Sequence, residues 1–196
     1  MYELISSDPY FIHIYERVAK DYLITHVLKV VYTVEDILKQ LEFDEKTIDN
    51  AMIVAFLHDI GKADSKKNYV SYSLEKAKNY FIDKQLDTGS NIEILDAIKY
   101  HNSNFEHNFI ASIIYLVDFL TVNLDNRKNK TIRKFEVIID DVQVIVNINT
   151  RNDDISEYIN KIDLESFVKN FAKVINRIPV IHVNEVRWEN LELVGI

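Results

Sequence analysis

Residues 51–62 read AMIVAFLHDIGK, an apolar helical run that leads into an adjacent His-Asp pair and then reaches a glycine. At helical spacing, an apolar stripe of this segment continues directly into His58 and Asp59. A cation should face the pair, because an ionised carboxylate buried alone is costly. A divalent metal fits, since it accepts a neutral imidazole nitrogen and a carboxylate oxygen. The alternative is a capping Asp beside a core His at a helix end.

Composition limits the classes of function. The chain has 196 residues, of which 47% are hydrophobic, so we expect one compact domain, alone or with an appendage. The net charge of -8 argues against a general nucleic-acid binder, because phosphate backbones are bound by cationic surfaces. The sequence contains no cysteine. Any metal must therefore be held by histidines and carboxylates, and disulfides and thiolate ligands are excluded.

The expected location is the cytoplasm, with no membrane partner. The first residues carry two acidic groups and no basic stretch, which does not resemble a signal peptide. No uncharged apolar run approaches the ~18–20 residues that a membrane-spanning helix requires.

Helical patterns dominate the chain as far as residue 125. The predicted helices lie at about 9–20, from Tyr22, at 45–60, at 72–86, from Asn91 and at 107–124. Asp44 is the predicted N-cap of the helix that carries the His-Asp pair. We expect this helix to run to Ile60 and to end in a left-handed cap at Gly61.

Four of these helices each carry a candidate ligand on an otherwise apolar face. The candidates are His26, the His58-Asp59 pair, His101 and Asp118. Their separations of 32, 42 and 17 residues exclude a short-range zinc motif and suit a helical bundle whose facing side chains converge on a metal. The alternatives are a core His26 bonded to a carbonyl and a buried Asp118 bonded to a backbone group or a hydroxyl.

Imidazoles combined with carboxylates favour a transition metal. Mn²⁺, Fe²⁺, Co²⁺, Ni²⁺ and Zn²⁺ suit such ligands better than Mg²⁺ or Ca²⁺, which prefer sites made of oxygen, although Mg²⁺ is retained as an option.

The character of the sequence changes after Asn123. A charged connection over 124–133 leads to two β-patterned runs, 134–139 and 142–150, which predict a hairpin that turns at Asp140-Asp141. Helices are expected at about 155–176, and a strand at 179–186 should join the hairpin in a small sheet. The predicted fold is therefore mainly α, with a helical metal-binding core at 1–125 and an α+β appendage at 126–196.

The order His26, then His58-Asp59 in the context His-Asp-Ile-Gly-Lys, then Asp118 resembles the HD-domain superfamily of metal-dependent phosphohydrolases. The resemblance covers about residues 20–125. It implies an all-α core with a divalent metal bound by those four residues, and hydrolysis of a phosphate ester or anhydride, often in a nucleotide. Lys62 matches a lysine that often follows the HD pair, and His101 matches a histidine common near the end of a later helix.

The sequence departs from this pattern at one place. Binuclear members of the superfamily often carry another histidine where the helix after the HD loop begins, whereas residues 70–74 read VSYSL. We therefore expect one metal per chain. The C-terminal layout, in which Asp118-Phe119-Leu120 is followed by a hairpin and helices, is more weakly similar to the exopolyphosphatase/guanosine pentaphosphatase family. The actin-like catalytic half of that family is absent, so its activity is not transferred.

The main hypothesis is metal-assisted hydrolysis of a small phosphorylated substrate, expected to be a nucleotide rather than a long nucleic acid. Asp59 would orient the attacking water, and Lys62 and His101 would contact phosphate or protonate the leaving oxygen. His101 has three open roles, as a substrate ligand, a weak second-metal ligand or a structural residue.

Two other hypotheses stay open. In the first, the chain is a non-catalytic module that binds a metal and a nucleotide for regulation or interaction. In the second, it is a structural helical protein whose polar stripe residues pair with one another. The hairpin and the last strand could form a lid, a homodimer contact or a platform for a partner.

Overall fold

The computed structural model describes residues 1–17, 22–86, 89–102, 108–125, 132–150, 161–184 and 186–187. The chain forms two compact units, Met1–Val117 and Asp118–Ile196. The boundary between them falls inside one continuous helix, α7 (Phe109–Asp125). The predicted domains, 1–125 and 126–196, stay a prediction, because compactness does not test whether a segment folds independently.

Every regular element among the described residues of the first unit is a helix, as predicted. Its helices before α7 are α1 (Tyr2–Ser6), α2 (Pro9–Arg17), α3 (Tyr22–Gln40), α4 (Glu45–Leu57), α5 (Tyr69–Asp83) and α6 (Asn91–Tyr100). Among these helices the sequence pattern missed only α1, which has five residues, buries Ile5 and packs against α4. Most of the apolar stripes found in the sequence are buried in this unit.

Helix α4 is the centre of the first unit, and it packs against α1, α3 and α6. It begins as predicted at Asp44, whose carboxylate accepts hydrogen bonds from the Thr47 backbone N–H at 3.0 Å and from the Thr47 hydroxyl at 2.8 Å. This cap satisfies an otherwise unpaired amide of the first turn. Residues 53–57 are all buried, so the His-Asp pair directly follows a core segment of α4.

The predicted end of α4 is wrong. The helix ends at Leu57 rather than Ile60, and a short 3-10 turn, Ile60–Ala63, follows. Gly61 does not adopt the left-handed conformation that a capping glycine would need. It is small for another reason, since a Cβ at this position would lie 2.1 Å from the backbone oxygen of Tyr69 and 2.5 Å from the backbone nitrogen of Ser73. The constraint is the close approach of α5 to the turn.

The second unit contains, among its described residues, a sheet of strand order β1-β2-β3-β4 and one helix beyond α7. The elements are β1 (Ile132–Ile139), β2 (Gln143–Thr150), α8 (Lys161–Val174), β3 (Ile178–Val183) and β4 (Val186–Arg187). β1 and β2 form the predicted antiparallel hairpin, β3 joins β2 in parallel, and β4 pairs antiparallel with β3. Helix α8 packs against β2 and β3.

The hairpin turns without a glycine because Asp140 fixes the turn. Its carboxylate accepts hydrogen bonds from the backbone N–H groups of Val142 and Gln143, each at 2.7 Å. These bonds hold the pKa of Asp140 below its ordinary value. An Asp side chain that bonds to the backbone two or three residues ahead is a common way to stabilise a turn.

Some predicted features lie outside the described residues. These are the end of the first predicted helix near Lys20, most of the connection at 124–133, and the beginning of the helices near residue 155. No helix in the described part of the chain combines the length and the apolar character needed to cross a bilayer. The cytoplasmic location stays a prediction.

Candidate metal centre

Two buried histidines occupy the same local position in two helices. His58 follows the last residue of α4 and His101 follows the last residue of α6, and each directs its Nδ1 to the carbonyl oxygen three residues earlier, at 2.7 Å. A carbonyl oxygen only accepts, so Nδ1 carries the proton in both rings. In a neutral imidazole Nε2 then has the lone pair that a metal or a proton can take. The helix ends thus fix the tautomers.

Asp59 is completely buried, at 0% exposure, and cationic or nitrogen-bearing groups surround its carboxylate. Oδ2 lies 3.5 Å from Nε2 of His58 and 3.7 Å from Nε2 of His26, and it also accepts a hydrogen bond from the Lys62 ammonium. Oδ1 is buried and has no hydrogen-bond partner among the described residues. A buried carboxylate oxygen in this state needs a further cation or donor.

The predicted ligands come together. Among the described residues, His26, His58, Asp59 and Asp118 each offer one ligand atom, and these four atoms lie within 4.8 Å of one another. Asp118 stands in α7, directly after the boundary between the two units, and is partly exposed, whereas the other three residues are buried. These four residues are called the metal group below.

Lys62 and Tyr69 stand beside the metal group. Lys62 belongs to the 3-10 turn after Asp59, and its Nζ lies 4.9 Å from the centroid of the Tyr69 ring, a distance typical of a cation–π contact. The ring of Tyr69, in turn, lies 5.8 Å from the ring of His101. The aromatic side chain that opens α5 therefore contacts two of the three predicted catalytic residues.

His101 lies next to the metal group without belonging to it. Its ring centroid is 5.1 Å from that of His58, and the two rings meet edge to face. The three residues predicted to be catalytic, Asp59, Lys62 and His101, thus lie in one neighbourhood of the first unit. Their catalytic roles stay predictions.

Sequence reasoning missed three residues that support this neighbourhood. Ser73 accepts a hydrogen bond from the Gly61 N–H at 2.8 Å, and Tyr15 donates one to the carbonyl of Phe56. Burial raises the pKa of Tyr15 well above its usual value, and the negative charge of Asp59 raises it further, so the hydroxyl stays neutral. Tyr69, the third, could have been found only by knowing that α5 begins there rather than at residue 72.

The residues of the metal group fit a divalent transition metal. Two imidazoles and two carboxylates form a mixed nitrogen and oxygen set, which such ions accept readily. The buried Asp59 Oδ1, which has no partner among the described residues, offers a further oxygen for a cation. Thiolate ligands are excluded, because the chain has no cysteine.

The fold and the metal group together define a helical domain that carries a largely buried His/Asp group able to hold a metal. The family model described as HD domain matches residues 23–172, which is more than half of the chain. The chain belongs to the HD domain family, whose members are mostly metal-dependent phosphohydrolases. The match extends beyond the predicted core and includes the hairpin and most of α8.

The chain is also similar to Ribonuclease Y of Mycoplasmoides gallisepticum (strain R(low / passage 15 / clone 2)). The two are 30% identical over 112 residues, which is 50% of this chain and 18% of that protein. The chain thus spans less than a fifth of the length of this relative. Neither comparison concerns the exopolyphosphatase/guanosine pentaphosphatase family, so that weaker resemblance stays a prediction.

Proposed function

We propose that this chain hydrolyses a phosphate ester or anhydride bond of a nucleotide with the help of one divalent transition metal. The observation that carries the proposal is the metal group, in which four residues from distant parts of the sequence offer ligand atoms within 4.8 Å of one another. Three of these residues are buried, and the Oδ1 atom of Asp59 has no partner among the described residues, so a further cation would offset the cost of burying this carboxylate.

His26, His58, Asp59 and Asp118 would hold the metal. When bound, the metal supplies Lewis acidity, which activates a water molecule and neutralises charge on phosphate. The carboxylate of Asp59 accepts a hydrogen bond from water and orients it toward phosphorus. The helix-end hydrogen bond of His58 keeps its Nε2 available as an acceptor throughout the reaction.

Lys62 and His101 would contact the substrate rather than the metal. The Lys62 side chain is 31% exposed, so it is accessible from solvent, and its ammonium would contact a phosphate oxygen. His101 has its Nδ1 fixed by the carbonyl of Ile98, which directs Nε2 away from its own helix. In its protonated form this nitrogen donates a proton to the leaving oxygen.

The test is a substrate screen with the metal-loaded protein. Nucleoside mono-, di- and triphosphates, cyclic nucleotides and dinucleoside polyphosphates are incubated with Mn²⁺, Co²⁺ or Zn²⁺, and released products are quantified. Asp59→Asn should lose metal and turnover together. Asp64→Asn is the matched control, because this nearby carboxylate pairs with Lys76 at 3.1 Å rather than with the metal group. Full turnover by a metal-free Asp59→Asn protein would refute the proposal.

A second candidate substrate is RNA. Its support is the similarity over half of the chain to a protein named Ribonuclease Y. The net charge of -8 weighs against a long polyanion. Oligoribonucleotides of increasing length belong in the same screen, and a kcat/KM that rises with length would favour this candidate over a free nucleotide.

The non-catalytic alternative predicts a different result in the same experiment. A regulatory module would bind a nucleotide stoichiometrically in the presence of Mn²⁺ and release no product. Calorimetric titration beside the turnover assay separates the two functions.

A further inference from the structure

Lys62 lies beside the metal group in the position of a counter-ion to Asp59. Its ammonium donates to Oδ2 of Asp59, which is the same oxygen that lies 3.5 Å from Nε2 of His58 and 3.7 Å from Nε2 of His26. The positive charge thus lies at the carboxylate oxygen nearest to both imidazole nitrogens. Asp59 is fully buried, and an ammonium ion there offsets part of the desolvation of its charge.

A divalent ion that binds Asp59 through either oxygen would share this carboxylate with the ammonium, because Oδ1 is buried without a partner among the described residues and Oδ2 accepts from Lys62. A metal held by the imidazole nitrogens and by Asp59 would lie within a few ångströms of an ammonium still bound to Oδ2. Like charges at such a distance repel strongly where water is partly excluded. The ammonium must therefore leave Oδ2, or weaken its bond to it, when the metal binds.

The ring of Tyr69 keeps the displaced ammonium at the site. Nζ of Lys62 already lies 4.9 Å from the ring centroid, and the same ring lies 5.8 Å from that of His101. The backbone next to Lys62 is anchored at Gly61, whose N–H donates to Ser73 and where a Cβ would lie 2.1 Å from the Tyr69 backbone oxygen.

We propose that Lys62 is a built-in counter-ion that a divalent metal displaces from Asp59, and that Tyr69 is the positioning residue that then holds the ammonium toward the substrate phosphate. The proposal rests on the proposed function, since it assumes that the metal group binds a metal. It adds that the metal-free and metal-bound proteins use the same lysine for two different tasks.

The decisive variant is Lys62→Met, studied by calorimetric titration of the metal-free protein with Mn²⁺ and by thermal unfolding without metal. We expect Mn²⁺ to bind about tenfold more tightly than to the wild type, because no ammonium has to be displaced. We also expect the metal-free variant to melt at a lower temperature, since Asp59 loses its counter-ion. A purely structural lysine would lower stability without tightening metal binding.

Two further variants test whether tighter metal binding requires the loss of the positive charge at Lys62 itself, rather than the loss of any nearby lysine. Lys66→Met removes an exposed lysine of the following loop, for which the described residues give no ion pair, and should leave the affinity for Mn²⁺ within about twofold. Lys62→Gln removes the charge but keeps a hydrogen-bond donor near Asp59. We expect it also to bind Mn²⁺ more tightly than the wild type, and it replaces Lys62→Met in the titration if that variant does not fold.

The outcomes distinguish failure of the lysine displacement from failure of the metal site itself. If the wild type binds Mn²⁺ and Lys62→Met and Lys62→Gln bind it equally or more weakly, the displacement is refuted while the metal site stands. If neither the wild type nor the variants bind Mn²⁺, Co²⁺ or Zn²⁺, the proposed function itself fails, and this inference fails with it.

The role of Tyr69 is tested with inorganic phosphate as the probe on the Mn²⁺-loaded protein. Tyr69→Phe retains the ring and should bind phosphate with an affinity close to that of the wild type. Tyr69→Leu removes the aromatic face and should weaken phosphate binding about threefold or more. Equal phosphate affinity in the two variants would contradict the positioning role.

Discussion

The hydroxyl of Tyr15 donates a buried hydrogen bond to the carbonyl oxygen of Phe56, one residue before α4 ends. The last carbonyl groups of a helix have no partner within the helix and must find one elsewhere. Tyr15 comes from α2, which also packs against the 3-10 turn after Asp59. This bond therefore helps α4 to end where it does and fixes the backbone that carries His58 and Asp59.

Tyr15→Phe should destabilise the protein by about 1–3 kcal/mol, because the Phe56 carbonyl loses its buried donor while the ring packing is kept. The centroids of the Tyr15 and Phe56 rings are 5.2 Å apart, and phenylalanine preserves this contact. The free energy of unfolding is measured by urea denaturation. Tyr32→Phe, at a position that is 61% exposed, is the control and should change stability little. Equal effects of the two substitutions would show that the hydrogen bond contributes nothing.

Gly61→Ala should be strongly destabilising, by roughly 3 kcal/mol or more, because the new methyl group would meet backbone atoms rather than movable side chains. Gly89→Ala is the informative comparison. Gly89 has a φ of +65°, and among the described residues a Cβ there would meet the Lys46 ammonium at 3.6 Å, an ordinary van der Waals distance. Its expected cost is about 1 kcal/mol, from backbone conformation alone. A smaller effect at Gly61 than at Gly89 would contradict the packing explanation.

The two glycines show what a sequence can and cannot predict. A glycine after an apolar helix is typical of a left-handed cap, and this local rule gave the wrong conformation for Gly61. The true constraint comes from Tyr69, eight residues later, whose backbone approaches only after α5 has folded onto the turn. Local rules succeeded where the cause is local, as at the Asp44 cap.

In the candidate site, too, the features with a local cause could be predicted from the sequence, and those set by tertiary packing could not. His26, His58, Asp59 and Asp118 could be predicted as one group, because each interrupts an apolar helical stripe. Tyr15 and Tyr69 could not, since a tyrosine on a helix is ordinary in a core, and its partner is decided by tertiary packing. The parallel pairing of β2 with β3 was also beyond the sequence, which indicated strands without their order.

Asp8 and Tyr80 should make stability depend on pH at both ends of the scale. Hydrogen bonds from the Tyr10 backbone N–H and the Lys84 ammonium hold the pKa of Asp8 below its ordinary value of 3.8. Its contribution is therefore complete above pH 3.8 and is lost as the pH falls through the lower folded value. Burial, with a 2.9 Å hydrogen bond to Asp8, raises the pKa of Tyr80 from 10.0 to about 12, so stability is lost as the pH rises through this range.

The measurement is the free energy of unfolding as a function of pH for the wild type, Asp8→Asn and Tyr80→Phe. The difference between the wild type and Asp8→Asn should shrink as the pH falls below 3.8. Tyr80→Phe should reduce the loss of stability above pH 10. Curves for the two variants that run parallel to the wild type would show that this pair does not titrate with folding.

His101→Gln should keep the metal and lower kcat/KM by about 100-fold, since the residue lies beside the metal group but outside it. His13→Gln, which changes an exposed histidine of α2, is the control for the loss of an imidazole. Metal content and steady-state kinetics are measured on the same preparations. Loss of metal in His101→Gln would instead favour a role as a metal ligand, and unchanged kinetics would favour a structural role.

The central claim is that His26, His58, Asp59 and Asp118 hold a metal, and elemental analysis of the purified protein tests it most directly. The wild type and the control Asp83→Ala, which removes an exposed carboxylate at the end of α5, should each contain about one equivalent of a divalent transition metal. Asp118→Ala should have lost most of it. Equal metal in Asp118→Ala, or no metal in any of the three proteins and no uptake on titration, would contradict the account.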